Sequence, residues 1–512
     1  MLGQLARTTT PRPLIRQRLA AEKGPLPKQA PNRVALAYPS PYSVAMSSLG
    51  YQWVYRMIQS TEAWSCERVF HPDQVADGLE SMECPVSYES ERRLQEFSLI
   101  AFSIAYELEI AGFLRMLIAS GVPPLRTDRA ARFPLVLVGG PLTFSNASTL
   151  SGFADVIVLG EAESILPQIL ALVARVSDRE RLLDELAQLP SVVVPSRGEP
   201  LGVTTARAPD EVLPAYSCIV TPHTELANMQ LVEAERGCSR GCTYCVMRRS
   251  TNGGMRIFDT NSVLDRVGPD VQKVGLVGAA VSDHPQIIQI IDALVLRGCQ
   301  VGLSSLRPDK LKEPFVAALA RAGYRTLTTA LDGASERLRQ SIDRRGRQPH
   351  YEQAAHLARQ YGIEKLKLYL MVGLPGETDA DIEECAQFVG SLSRLIPVTL
   401  GVSPFCAKRN TPLDGSAFAG VSVIQKRLTR LRNKLAGRAQ VRATSARWAW
   451  VEHVLSQGGP DEGKAILHAL QLGGSYSAYR SALESLGHLP DGTKASGTRS
   501  ERSRPATLLP LL

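Results

Sequence analysis

The sequence predicts an α/β protein in three parts: a Rossmann-like parallel-sheet domain, a partial (β/α)6 TIM-like barrel and a C-terminal helical appendage. Three observations carry that prediction. Between 34 and 175, continuous apolar runs alternate with segments of helical spacing. From 229 a second such series begins, six βα units in about 180 residues, which suits a partial barrel better than an open sheet. Beyond 415 the strand-like runs stop and helical periodicity remains.

In the first part, "RVALAYP" (33–39), "LIAFSIA" (99–105), "PLVLVGGP" (134–141) and "DVIVLGEAES" (155–164) read as buried strands, the last entering a helix. "YQWVYRMIQS" (51–60) and "GFLRMLIASG" (112–121) have helical spacing between them. Parallel sheets of this kind bind ligands at the carboxyl ends of their strands. Here those ends read "YPSPYS", "SIAYE", "GGPLTF" and "GEAES", small and polar, which suits a binding edge and ordinary turns alike.

Residues 1–33 and 489–512 read as disordered basic tails, and 176–228, irregular and punctuated by Pro, as a linker. The net charge is +8, of which +6 falls in 1–33 and +2 in 489–512, leaving the body neutral. Basic charge is therefore no argument for nucleic acid as the main partner. No apolar run is long enough to span a bilayer, and nine unevenly spaced cysteines in 512 residues do not suit a disulfide-stapled secreted domain. A cytoplasmic protein with reduced thiols is expected.

The second part (229–415) has strands expected at 231–235, 273–277, 299–303, 326–330, 366–372 and 398–403. "QIIQIIDALVLRG" (286–298), "FVAALARAG" (315–323) and "DIEECAQFVGSL" (381–392) are helices between them. In the third part (416–488), Ile424, Leu428, Leu431 and Leu435 form one apolar stripe. Lys426, Arg427, Arg430, Arg432 and Lys434 stand between them, a solvated face or, on a sharper reading, a contact for RNA or an anion.

"EAERGCSRGCTYCVMRR" places Cys238, Cys242 and Cys245 just after the first barrel strand, where chemistry belongs in such folds. Structural zinc would need a fourth ligand, for which Cys218 and His223 are the nearby candidates. A redox Cys242–Cys245 pair would leave Cys238 unexplained. Three thiolates from one loop can instead hold three corners of a [4Fe–4S] cluster, leaving one iron free for an exogenous chelator. Gly237 and Gly241 let the backbone fold tightly there, and Tyr244 is placed to cover the site. Loop position, spacing and the adjacent aromatic favour the cluster.

A CxxxCxφC loop after the first strand of a partial barrel resembles the radical S-adenosylmethionine (SAM) superfamily. The resemblance implies a [4Fe–4S] cluster on Cys238, Cys242 and Cys245, with SAM chelating the open iron. It also implies a one-electron donor such as flavodoxin or ferredoxin, and reductive cleavage of SAM to methionine and a 5′-deoxyadenosyl radical that abstracts hydrogen. "VGLVGAAVSDHP" (274–285) is similar to the family's second-strand segment, which implies a role for Gly278 at the SAM amino group, with Ala279-Ala280 where Gly-Glu is common. "LSSLRPD" (303–309) offers Ser304, Ser305 and Arg307 for ribose or carboxylate. "TTALDGASERLR" (328–339) resembles the fourth-strand segment, with Asp332 one methylene shorter than the usual Glu. "LYLMVGLPGET" (368–378) matches the fifth, where Gly373 and Gly376 would let backbone approach adenine. "VSPFCAKRNTPL" (402–413) resembles the closing strand.

The first part and "RWAWVEHVLSQGG" (447–459) resemble the branch with an N-terminal cobalamin-binding-type domain. That implies cobalamin and, with it, methylation of an unactivated carbon or phosphorus centre. The family's Asp-x-His-x-x-Gly motif is missing and His71 ("VFHPD") is the domain's only histidine, so a cobalamin-free oxidation or rearrangement stays open. Methylthiotransfer would need three further N-terminal cysteines, and only Cys66 and Cys84 are there. A metal-stapled RNA-binding scaffold is the non-enzymatic alternative.

Overall fold

The computed structural model describes residues 12–73, 83–198, 204–247, 254–304 and 306–494. Its first sheet contains β1 (Asn32–Tyr38), β2 (Trp64–Phe70), β3 (Leu99–Ser103), β4 (Leu135–Gly139), β5 (Val156–Val158) and β6 (Val192–Val193). The order is β2-β1-β3-β4-β5-β6, parallel except for the antiparallel edge strand β6. The apolar runs form the strands expected of them. Strand β2 ("WSCERVF") lacked such a run because Glu67 and Arg68 interrupt it, yet every residue in it is buried.

Arg68 explains how, and it also corrects the reading of 1–33 as a disordered tail. Its guanidinium, 1% exposed, pairs with Glu22 at 2.7 Å and Glu89 at 2.6 Å. Glu22 follows a helix, Arg12–Ala21, whose Ile15 is fully buried, and Lys23 bridges to Val220. A buried guanidinium needs carboxylate partners, and the N-terminal segment brings one. Residues 1–11 lie outside the described set. The expected linker is also more ordered than its composition suggested. It contains the helix Arg179–Ala187 and β6, and its later part bridges back to both domains through Ala206 and Tyr216.

The barrel strands are β7 (Gln230–Glu233), β10 (Lys273–Val277), β11 (Gln300–Leu303), β12 (Thr326–Asp332), β13 (Lys365–Val372) and β14 (Val398–Pro404). These are the six expected strands, in parallel sequence order. The wall is split between β11 and β12, where a single Leu306–Thr329 bridge joins a three-stranded and a four-stranded sheet. A short antiparallel hairpin, β8 (Glu235–Gly237) and β9 (Met255–Ile257), projects beyond β7 and carries the cysteine loop.

The C-terminal part is not purely helical. Its strand β15 (Gln440–Ala443) extends the barrel wall parallel to β14. The helices Val421–Leu435, Ala446–Gln457, Pro460–Gln471 and Tyr476–Glu484 surround it. Pro460–Gln471 reaches the first domain so closely that a Cβ on Gly463 would lie 2.1 Å from the Thr149 carbonyl oxygen. The basic row on Val421–Leu435 has carboxylate partners on the helix Asp379–Leu392 and just before it. Arg427 pairs with Glu377, Arg430 with Asp379, and Lys434 with Glu383. The first residues of the expected C-terminal tail are also ordered, with Leu489 accepting from Trp450 Nε1 at 2.9 Å, whereas 495–512 lie outside the described set. Among the described residues no helix is long and apolar enough to cross a membrane.

Candidate functional site

The cysteine loop leaves β8 and returns into β9, closed at its base by Cys238 N–H donating to the Gly254 carbonyl at 3.1 Å. Backbone N–H groups of Arg240 and Met247 are directed at the sulfurs of Cys238 and Cys245. Burial pushes all three thiols up, Cys245 to about 11. The Arg344 guanidinium works against this at Cys242. All three cysteines are free and open on one cavity of about 200 Å³, whose other walls include Tyr244, Ala279, Ala280, Ser304, Thr328 and Tyr369.

The loop is fixed from the far side of the barrel. Thr243 N–H donates to the Ile342 carbonyl at 3.2 Å, and Tyr244 Oη donates to Asp332 Oδ2 at 2.8 Å. Asp332 Oδ2 also takes Arg344 Nε at 2.7 Å. Asp332 sits at a bulge in β12 with φ of +62°, a left-handed conformation that costs a non-glycine residue energy. That distortion aims its carboxylate behind Tyr244. In this structure Asp332, expected to contact a ligand, makes a positioning contact with the loop.

The other expected residues separate into two groups. Tyr244, Ser304 and Arg307 line the cavity, as do Ala279 and Ala280 beside Gly278. Ser304 Oγ donates to the Gly278 carbonyl at 2.7 Å and lies 3.2 Å from its N–H. Gly278 itself has no room for a side chain, since a Cβ would meet Glu235 Oε1 at 2.2 Å. Arg307 is held by Asp283 and Asp309, both at 2.9 Å, so its charge is already matched. Ser305 lies outside the described residues. Gly373 and Gly376 belong to a different place. Both have positive φ, and a Cβ on Gly373 would press on Ala419 at 3.1 Å, so this turn seats the helix Val421–Leu435 rather than lining the cavity.

That turn carries a titratable group. Glu377 Oε1 accepts from Gly373 N–H at 2.9 Å and Arg427 Nη1 at 2.8 Å, and burial pushes its pKa up to about 7. The folded chain therefore keeps this proton to a higher pH than the unfolded chain does. Its contribution to stability is complete below the ordinary carboxylate range and is lost as pH rises through about 7. Denaturant unfolding between pH 5 and 8 is expected to show a fall on the order of 3 kcal/mol from this group. Glu377→Gln flattens that slope; an unchanged slope contradicts the assignment.

Four residues at or beside the cavity escaped the motif reading. Arg240 and Arg344 bring positive charge beside the thiols, Tyr369 presents its ring to the cavity, and Glu235 stands behind the 278–280 turn. Glu235 is fully buried, accepts from Ala280 N–H at 2.6 Å through Oε1, and among the described residues has no hydrogen-bond partner at Oε2.

Of the two candidate fourth ligands for zinc, Cys218 stands away from the loop. Cys218 lies in the first domain's interior near Arg68 and Cys66. Among the described residues no group of three or more His, Cys, Asp or Glu could hold a metal ion directly.

The carboxyl edge of the first sheet faces the barrel, and the chain's own side chains close it. Glu107, after β3, takes Lys408 Nζ at 2.6 Å, and Lys408 also reaches Glu452 at 2.9 Å. Asn146, after β4, donates to the Leu455 and Gly458 carbonyls, both at 2.9 Å. Asn410 donates back to the Phe144 carbonyl at 2.8 Å. Gly160, after β5, is packed so tightly on Ala206 that a Cβ would lie 2.4 Å from its nitrogen. Arg236 then joins the two domains, reaching Glu163 at 2.8 Å, Glu161 at 3.4 Å and Glu233 at 2.6 Å. His71, at the end of β2, is buried with Nδ1 2.9 Å from the Pro72 carbonyl oxygen, and burial lowers its pKa.

Two family models match this chain. One, described as radical SAM proteins, N-terminal, covers residues 50–195; the other, described as the radical SAM superfamily, covers 232–389. An uncharacterized protein of Methanocaldococcus jannaschii is 28% identical over 338 residues, which are 64% of this chain and 70% of that one. Among solved structures, the cobalamin-dependent S-adenosylmethionine radical enzyme OxsB is similar in fold. It was solved with aqua-cobalamin bound and with both aqua-cobalamin and SAM bound. Its identity is 14%, its TM-score 0.50, and the match covers 72% of this chain and 53% of that one. The chain thus spans about half the length of the solved structures it matches.

Proposed function

We propose, for a chain that belongs to the radical SAM superfamily, in the branch whose barrel follows a cobalamin-binding-type domain, that it cleaves SAM reductively and abstracts hydrogen from a substrate without a corrinoid. The observation that carries the first half is the loop of three free cysteines opening on one cavity at the barrel's strand ends. The donor set fits a [4Fe–4S] cluster. Three thiols are present, amide N–H groups point at two of the sulfurs, and Arg344 supplies positive charge beside the third. Cys238, Cys242 and Cys245 would hold the cluster, and when bound with SAM it supplies the electron for homolytic C–S cleavage.

The chain's own residues position and protect that chemistry. Asp332 orients Tyr244 and Arg344, and with the Thr243–Ile342 bond it holds the loop to the β12 segment. Ser304 fixes the Gly278 turn, whose backbone and neighbours Ala279 and Ala280 form the adjacent wall. Tyr369, Thr328 and Thr329 complete an enclosure that restricts water at the reacting centre.

The second half of the proposal rests on the sealed sheet edge. A corrinoid between the domains would have to break the contacts of Lys408, Asn146, Asn410 and Arg236, so the residues present do not fit one. Cobalamin-dependent methylation is accordingly not the favoured reading, although OxsB, with the similar fold, binds cobalamin. Methylthiotransfer is disfavoured as well, because Cys66 and Cys84 are each buried at separate places in the first domain. Anaerobic protein incubated with dithionite and SAM is expected to release 5′-deoxyadenosine and methionine in equal amounts. Titration with hydroxocobalamin is expected to give no saturable change in the visible spectrum. Absence of 5′-deoxyadenosine sinks the SAM reading; stoichiometric cobalamin sinks the corrinoid-free one.

A further inference from the structure

Strand β13 alternates strictly: Leu366, Leu368, Leu370 and Val372 are buried, whereas Lys365, Lys367, Tyr369 and Met371 are not. The second set faces the barrel interior, since Tyr369 lines the cysteine cavity. Strand register extends this face across the wall in two rows. One is Thr328, Lys367, Thr399 and Gln440; the next is Ala330, Tyr369, Gly401 and Arg442. Residues level with one another on parallel strands point to the same side.

Gly401 leaves the space the Tyr369 ring occupies, because a Cβ there would lie 3.1 Å from it. The ring is 45% exposed, and Lys367 Nζ stands 4.7 Å from its centroid. Arg442 is exposed at the far end of the same row. Neither row contains a carboxylate, and among the described residues none pairs with Lys367 or Arg442. The contrast is with the neighbouring cations Arg307, Arg344 and Arg427, each held by an acid. Two uncompensated cations on one wall, with an aromatic between one of them and the open strand edge, are a recognition surface for an anion.

We propose that this wall binds the substrate, which carries a carboxylate or phosphate held by Lys367 and Arg442 while its reacting portion passes Tyr369 toward the cysteine cavity. The assignment rests on the SAM-dependent reading above and adds the substrate's class: a small anionic molecule. The test is isothermal titration of the reconstituted anaerobic protein with inorganic phosphate and, separately, succinate. Saturable binding of at least one anion is expected, and which one binds tells phosphate from carboxylate. Lys367→Met and Arg442→Gln should each weaken that binding about tenfold or more, as loss of a charged hydrogen bond does. Arg325→Met, a surface cation paired with Glu364, should leave it unchanged. Binding of neither anion, or wild-type binding by both variants, overturns the proposal. Iron content and 5′-deoxyadenosine release are measured on the same samples. SAM cleavage without an anion site defeats this inference alone, whereas an anion site without SAM cleavage defeats the catalytic reading on which it rests.

Discussion

Replacing Cys242 with alanine is expected to reduce iron from about four per chain to a small fraction of that and to abolish 5′-deoxyadenosine formation, a loss of at least about a thousandfold. Cys238→Ala and Cys245→Ala, each singly, should behave the same way. A cluster with only two protein thiolates has lost the arrangement that keeps three irons fixed and one open. Circular dichroism should stay close to wild type, because the barrel core is built from the apolar faces of β7 and β10–β14 rather than from the loop. A variant that kept iron and activity would show that the three cysteines are not the ligands. Serine at the same positions separates thiolate loss from a packing defect.

Arg236→Ala should be strongly destabilising. It leaves Glu161, Glu163 and Glu233 together at the domain junction with one of their cations gone. Arg256, which also reaches Glu161, compensates only one of the three. Removing one partner from a buried ionic network typically costs about 3–5 kcal/mol. Equilibrium unfolding in urea is the measurement, with an expected lower midpoint and weakened association of the first domain with the hairpin that bears the cysteines. A loss under about 1 kcal/mol would mean that the junction does not depend on this arginine. Because Arg236 lies two residues before Cys238, iron retention in this variant also reports whether the first domain steadies the loop.

What could be read from the sequence depended on whether a segment's burial was apolar. Strands β1, β3, β4 and β5 announce themselves as Val, Leu, Ile and Ala runs, and the six main barrel strands as shorter apolar or alternating segments. Strand β2 did not, because its burial is achieved by pairing Arg68 with Glu22 and Glu89, partners that lie 46 and 21 residues away. The helix Arg12–Ala21 was obscured by the same charge pattern that made the N-terminus look like a tail. Strand β15 was hidden within a basic helical stretch, because a four-residue edge strand has too little periodicity to stand out.

The candidate site divides in the same way. Three cysteines within eight positions are a local signal, and so is the glycine turn at 278. Asp332, Arg344, Glu235 and Tyr369 act through register and bulges that bring together residues up to about 130 positions apart, and no spacing rule encodes that. Tyr369 was the one that could have been found. "KLKLYLMV" alternates polar and apolar with period two, which in a barrel strand marks an interior face that is not simply filled with core. The glycines at 373 and 376 stand apart from the cavity, in a turn where Gly373 packs on Ala419 and Ile424.

Electron paramagnetic resonance of the dithionite-reduced, reconstituted protein with and without SAM reports whether one iron of a cluster on Cys238, Cys242 and Cys245 is open to SAM. A reduced [4Fe–4S] signal is expected, with g-values that shift when SAM is added, because one iron is left open by the three cysteines. A cluster signal indifferent to saturating SAM, or no iron–sulfur signal at all, would contradict it.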